Sequence, residues 1–200
     1  MNFAEYNVKD ANLEEILLAL KSLDTVEAVA LGGSRSTGAS DENSDYDIYV
    51  YCAEIPTAET RENLLGKYCS IAEFGNHYWE SEDNTVMNNG TPVDIIYREV
   101  DRFDRYIDTV IKGGKAFNGY TTAFWHNIKN SKVLFDKTGT FTKFRDMAQI
   151  DFPENLRSAI IKNNRNLLNG KLPSYDRQIK KAWRYRQCQS QNHRFSRKLF

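Results

Sequence analysis

No run of ~18 consecutive apolar residues occurs in the 200-residue chain, so no segment is long and apolar enough to cross a bilayer as a helix. The first residues lack the apolar core of a secretory signal, because Glu5, Lys9 and Asp10 interrupt it. Cysteine is scarce. Cys52, Cys69 and Cys188 are odd in number and show neither metal-ligand nor redox spacing, which predicts reduced thiols in a cytoplasmic protein. His77, His126 and His193 each stand without a second His or Cys at ligand spacing, and all three are assigned to structure. Repeats, low-complexity linkers and recognisable DNA-binding modules are also missing. Disorder is excluded by what is present: eleven Phe, eleven Tyr and three Trp supply a core.

Net charge is absent from the whole but not from its parts. Residues 1–150 hold 15 Lys and Arg against 24 Asp and Glu, whereas residues 151–200 hold 12 against 3. Such asymmetry attracts nucleic acid or triphosphate, or lets two parts of one fold complement each other. Interleaving of the basic residues with Leu, Ile and Tyr favours the second. Arg184 to Phe200 contains four arginines and one lysine, no acid, and poor apolar spacing.

Chemistry concentrates in residues 32–51. An apolar run, Val26 to Leu31, leads into Gly32-Gly33-Ser34-Arg35-Ser36-Thr37-Gly38. Glycines there let the backbone turn sharply and approach a ligand, and the residues after them offer unpaired N–H groups to an anion. Ser44-Asp45-Tyr46-Asp47-Ile48-Tyr49-Val50 then opens a second strand. Residues two apart on a strand share a face, so Asp45 and Asp47 point to one spot. Two such acids repel unless a cation lies between them, which suits Mg²⁺. A third acid, Asp94, sits inside Val93-Asp94-Ile95-Ile96-Tyr97, where an unpaired carboxylate would be costly. An ordinary loop reading of Asp45 and Asp47 leaves Asp94 unexplained.

Gly-Gly-Ser, a ten-residue spacer and Asp-Tyr-Asp resemble the signature of the DNA polymerase beta-type nucleotidyltransferase superfamily. The resemblance implies that the serine contacts a nucleoside triphosphate and that Asp45, Asp47 and a third acid, here Asp94, hold two Mg²⁺ ions. Gly32, Gly33, Ser34 and Arg35 become the nucleotide-binding set. In length, and in its catalytic half followed by a helical half, the chain is most similar to small bacterial enzymes that modify aminoglycoside or lincosamide antibiotics. That likeness implies transfer of a nucleoside monophosphate, AMP, to a hydroxyl of a small molecule with release of pyrophosphate. Two alternatives stand beside it: an antitoxin-type minimal nucleotidyltransferase that acts on or binds a partner protein, and an RNA-modifying enzyme using the basic segment after residue 150. Membrane and nucleic-acid partners are not expected; a homodimer is allowed.

The fold expected is α+β, a small mixed β-sheet covered by helices over residues 1–112, followed by a helical region over 113–200 whose last helices need not all be present. Asn12 is read as the cap of a first amphipathic helix carrying Leu13, Ile16, Leu17 and Leu20. One face of the sheet is expected to hold the core and the other the metals. Further helices are read at 57–68, 101–112, 123–130, after Pro153 with Leu156, Ile160, Ile161 and Leu167 buried, and at 174–187; Val133 to Phe135 is a short apolar insertion. Asn88-Asn89-Gly90 signals a hairpin turn before the Asp94 strand. The aromatic and acidic stretch from Glu73 to Asp83 is either a solvated hairpin or an acceptor wall, with Tyr78 and Trp79 stacking and one of Glu80, Glu82 or Asp83 attracting a cation. Asp94 is open to two roles, metal ligand or general base.

Overall fold

The computed structural model describes residues 10–41, 44–77, 80–117 and 121–165. Helix α1 (Ala11–Lys21) buries Leu13, Ile16, Leu17 and Leu20, as their spacing predicts. Its cap is Asp10, not Asn12. Asp10 has extended backbone, and its carboxylate accepts from the N–H groups of Asn12 at 3.0 Å and Leu13 at 3.4 Å. An acid two residues earlier meets the first-turn donors and also complements the positive helix end.

Strand β1 (Val26–Leu31) delivers the glycine turn and the one-turn helix α2 (Gly33–Thr37). Then come β2 (Tyr46–Cys52), α3 (Ala58–Leu65), a tight turn (Gly66–Tyr68), β3 (Cys69–Asn76), β4 (Ser81–Met87) and β5 (Pro92–Glu99). Helix α4 (Val100–Ile107) widens into a π-type turn (Asp108–Lys112), and α5 (Ala123–Asn130), β6 (Lys132–Asp136) and α6 (Thr140–Ala148) follow. The architecture is α+β, with one mixed sheet in the order β3-β4-β5-β2-β1-β6. Strands β2 and β5 are parallel at its centre; the other pairs are antiparallel.

Alternation along β2 and β5 sorts the two faces. Ile48, Val50 and Cys52 join Val93, Ile95, Tyr97 and α1 in one apolar core. The opposite face is not left to polar groups. Tyr51 meets Phe103 at 5.5 Å and Phe141 at 5.3 Å between ring centroids, and Phe144 joins them. Both faces are therefore packed, correcting the expectation of a single core face. The aromatics behind Tyr51 fill the second face under α4 and α6, and Asp47 and Asp94 lie nearer the start of their strands.

Residues 133–135 belong to β6, which hydrogen-bonds the free edge of β1. A strand this short has little local signal; the unpaired edge of β1 is what recruits it. One compact unit accordingly comprises Met1–Gly113 with Thr122–Asp151, with β6 and the helices beside it returning to the unit after residue 121.

The second unit takes in Gly114–Thr121 and residues from Phe152. A helix over 154–165 buries Leu156 and half-buries Ile160, but Ile161 is 60 % exposed. Five positions beyond Leu156, Ile161 lies about 140° round the helix and cannot share its face. Asn163 Nδ2 donates to Ala116 O at 3.4 Å within this unit. Leu167 and the helix expected at 174–187 fall outside the described residues.

Candidate active site

The glycine turn is pressed against β2. Gly32 N–H donates to Asp47 O at 2.8 Å, and a Cβ at Gly32 would run into the Tyr49 ring. Gly33 has φ +59°, and a Cβ there would overlap Asp47 Oδ2. Both features require glycine: the backbone conformation and the space taken by the carboxylate. Ser36 Oγ and Thr37 Oγ1 close α2 on the carbonyls of Gly33 (2.8 Å) and Ser34 (3.1 Å). Arg35 is engaged by the loop that enters β2. Its guanidinium donates to Ser44 O and, through Nε at 2.9 Å, to Asp45 O, and it lies 3.9 Å over the Tyr46 ring. In this structure it straps α2 to the loop entering β2.

Asp45 is exposed just before β2, Asp47 is half-buried within it, and Asp94 is half-buried on β5. Parallel pairing sets Asp47 directly beside Asp94. Equivalent positions on adjacent strands share a face, so the sheet itself joins carboxylates 47 residues apart. Burial, then the charges of Asp45 and Asp94, raise the Asp47 pKa above its ordinary value. Among the described residues no three His, Cys, Asp or Glu close around one point as a formed metal centre. The donor set still fits a hard divalent cation. All candidate ligands are carboxylate oxygens, and the repulsion borne by Asp47 is what a cation would relieve.

The acceptor candidates divide. Trp79 lies outside the described residues. Glu80 is 40 % exposed and grips buried Arg98 through both oxygens, Oε1 to Nε and Oε2 to Nη2, each at 2.7 Å. Arg98 also donates to Tyr51 OH at 3.1 Å and lies 4.5 Å over Tyr49. Burial opposes its charge, but Tyr51 and Glu80 more than offset this and hold its pKa above the usual range. Asp83 is not an acceptor group. It is fully buried, 3.1 Å from Arg61, and accepts from Gly75 N–H at 2.8 Å. It pairs with Ile95, and therefore faces the α1 side of the sheet rather than the side of Asp94.

Residues of β4 on the Asp94 side are Glu82, Asn84 and Val86, of which the first two are polar. Burial first, then Asp94, Glu80 and Asp83, raise the Glu82 pKa. Asn84 lies opposite Asp94 and donates Nδ2 to its Oδ1 at 2.8 Å; Asn76 Nδ2 donates to Asn84 Oδ1 at 2.6 Å. Neither asparagine stands out in the sequence. The signal was the turn at Asn88-Asn89-Gly90, since antiparallel register counted back from it sets residue 84 against 94.

A cavity of about 200 Å³ opens beside α2, lined by Ser34, Thr37, His126, Asn127, Asn130 and Ser131. Asn127 donates to Tyr49 OH at 2.8 Å, tying α5 to the strand that carries Asp47. Asn130 lies 3.2 Å from His126 Nδ1. His126, assigned to structure on its isolation in the sequence, is exposed at this cavity; no local pattern marks it, because α5 is brought here by tertiary packing.

A family model described as a nucleotidyltransferase domain matches residues 13–117. Among curated proteins no relative matches the chain. Among solved structures, a toxin–antitoxin with AMP-PNP matches at 15 % identity, covering 78 % of this chain and 94 % of the other, with a TM-score of 0.43. Cid1 in complex with its short product ApU matches at 19 % identity over 52 % of this chain and 37 % of the other, with a TM-score of 0.35. A second structure of the Cid1 poly(U) polymerase matches at 20 % over 64 % and 39 %, with a TM-score of 0.38.

Proposed function

The chain belongs to the nucleotidyltransferase domain family, and from that membership we propose a Mg²⁺-dependent enzyme that moves AMP from ATP to a hydroxyl of a small cationic molecule. The observation that carries the reading is the register of Asp47 beside Asp94, with the Gly33 backbone packed against Asp47. Phosphate cradle and carboxylate face are thus one continuous surface.

In this reading Gly33 and Ser34 bind the β- and γ-phosphates through N–H and hydroxyl donors, while Gly32, whose own N–H is taken by Asp47 O, shapes the turn that presents them. The cavity beside Ser34, with His126 and Asn130 on its wall, gives the phosphates room. Arg35 contributes by fixing the loop that presents Asp45 rather than by touching the leaving group. Asp45, Asp47 and Asp94 would hold two Mg²⁺ ions, which when bound neutralise phosphate charge and ease loss of the acceptor proton. The acceptor oxygen forms a bond to the α-phosphorus as the bond to the β-phosphate oxygen breaks. Its proton goes to solvent or to a carboxylate, and pyrophosphate leaves with the bonding pair.

The acceptor class is argued from charge: Glu82 shares the Asp94 side of the sheet and adds an acid to Asp45, Asp47 and Asp94, whereas Glu80 is taken up by Arg98. Such a rim repels a nucleic-acid backbone and attracts an amine-bearing molecule. Aminoglycoside and lincosamide antibiotics have both the hydroxyls and the amines. The test is pyrophosphate release from each of four nucleoside triphosphates with Mg²⁺, offered aminoglycosides, lincosamides or RNA 3′ ends, on wild type and Asp47→Ala. Release with ATP and a cationic small molecule, lost in the variant, is expected. Release with RNA alone would overturn the acceptor class, and no release with any pair would overturn the enzyme reading.

A further inference from the structure

Asp94 accepts a side-chain hydrogen bond from its neighbouring strand, and among the described residues that bond is the end of a relay. We propose that Asn84 and Asn76 are positioning residues that fix Asp94 as a metal ligand, an inference that rests on the metal-dependent reading above.

The polarity of the relay is set by chemistry. An ionised carboxylate only accepts, so Asn84 must turn its NH₂ toward Asp94 Oδ1, at 2.8 Å. Its own carbonyl then faces Asn76, which must present NH₂, at 2.6 Å. Every group in the chain Asn76–Asn84–Asp94 has one orientation that satisfies it, and reversing any amide sets two acceptors face to face. The sheet supplies the spacing. Asn84 is the direct antiparallel partner of Asp94 on β4, as Asp47 is its parallel partner on β5's other side. Asp94 thus stands between an amide donor on one flank and a like charge on the other.

The hydrogen bond occupies Oδ1 and holds the carboxyl plane, leaving Oδ2 for a cation. Ligand carboxylates held in this way owe part of their affinity to the partner that orients them. Asn76 ends β3 and reaches Asp94 through Asn84.

The experiment measures Mn²⁺ affinity with α,β-methylene ATP, reading free Mn²⁺ by electron paramagnetic resonance, with thermal midpoints recorded alongside. Asn84→Leu keeps the size and removes the amide. It is expected to weaken Mn²⁺ binding about 10–100-fold. Asn76→Leu should weaken it less, and the double variant should bind as Asn84→Leu does, because the second change finds the path already broken. Asn76→Asp should also weaken it, since two carboxylates then compete for one amide. Additive losses, or Asn84→Leu within about twofold of wild type, would overturn the relay while leaving the site intact. If wild type and Asp47→Ala fail alike to bind Mn²⁺, the metal reading itself falls and takes the proposal with it. Should Asn84→Leu not fold, Asn76→Asp on half-buried Asn76 gives the decision: unchanged affinity refutes the relay.

Discussion

Asp47→Asn should make the ligand-free protein more stable while removing its response to Mg²⁺ and ATP. Asparagine has the same shape and keeps the fit against Gly33, but it relieves two like-charge contacts, with Asp45 and Asp94. Charged pairs across a sheet are worth roughly 0.2–1 kcal/mol each, so the gain is about 0.5–2 kcal/mol. For a chain of this size ~1 kcal/mol moves Tm by about 2–4 °C, which predicts a rise of a few degrees. Saturating Mg²⁺ and ATP at about 100 times Kd should stabilise wild type by ~2.7 kcal/mol, and the variant hardly at all. The pH dependence has a definite sign. Asp47 has a raised pKa in the folded state, so its contribution is fully present below the unfolded value of 3.8 and is lost as pH rises through the folded value. The advantage of Asn over Asp is therefore largest near neutrality and closes as pH falls toward 4. Differential scanning fluorimetry between pH 4 and 8, with and without ligand, checks this. A variant less stable at neutral pH, a gap that widens toward acid, or a retained Mg²⁺–ATP shift would refute the reasoning.

Gly33→Ala forces a Cβ into Asp47 at positive φ; it should cost about 1–2 kcal/mol from the backbone alone and abolish pyrophosphate release, measured by thermal melts and a phosphate assay. Asp83→Ala leaves Arg61 buried without its partner and should destabilise by about 3–5 kcal/mol in urea titrations, yet leave acceptor KM unchanged where the variant is folded. Burial pushes the Cys52 thiol up to about 12, so iodoacetamide at pH 8 should label Cys69 in the native protein and Cys52 only after unfolding, as read by mass spectrometry.

Local patterns made much of this legible. The helical spacing of Leu13, Ile16, Leu17 and Leu20, the Gly32-Gly33 turn and the period-two run from Tyr46 to Cys52 all specify their structures within a few neighbouring residues. What could not be read was set by partners far away in sequence. Residues 133–135 become a strand because β1 has an open edge, and Tyr51 becomes a core residue because α4 and α6 bring phenylalanines over it. Asp83 illustrates the sharper failure. Composition made it one of several acids beside Trp79, whereas its parity on β4 sends it through the sheet to Arg61. Arg35 looked like a phosphate ligand by position, but carbonyls of the Ser44–Asp45 loop lie within its reach and no local pattern announces them.

The two-sidedness of β4 also constrains how such a protein can diversify. Adding or deleting a single residue inside that strand would rotate Asp83 or Thr85 toward Asp94 and send Asn84 into the apolar layer, so changes of length within it are lethal to both faces at once. Just ahead of β4 the chain is tied down in another way, by Glu80, which holds buried Arg98 through both oxygens. Descendants of this chain should therefore keep both the length of β4 and an acid at position 80.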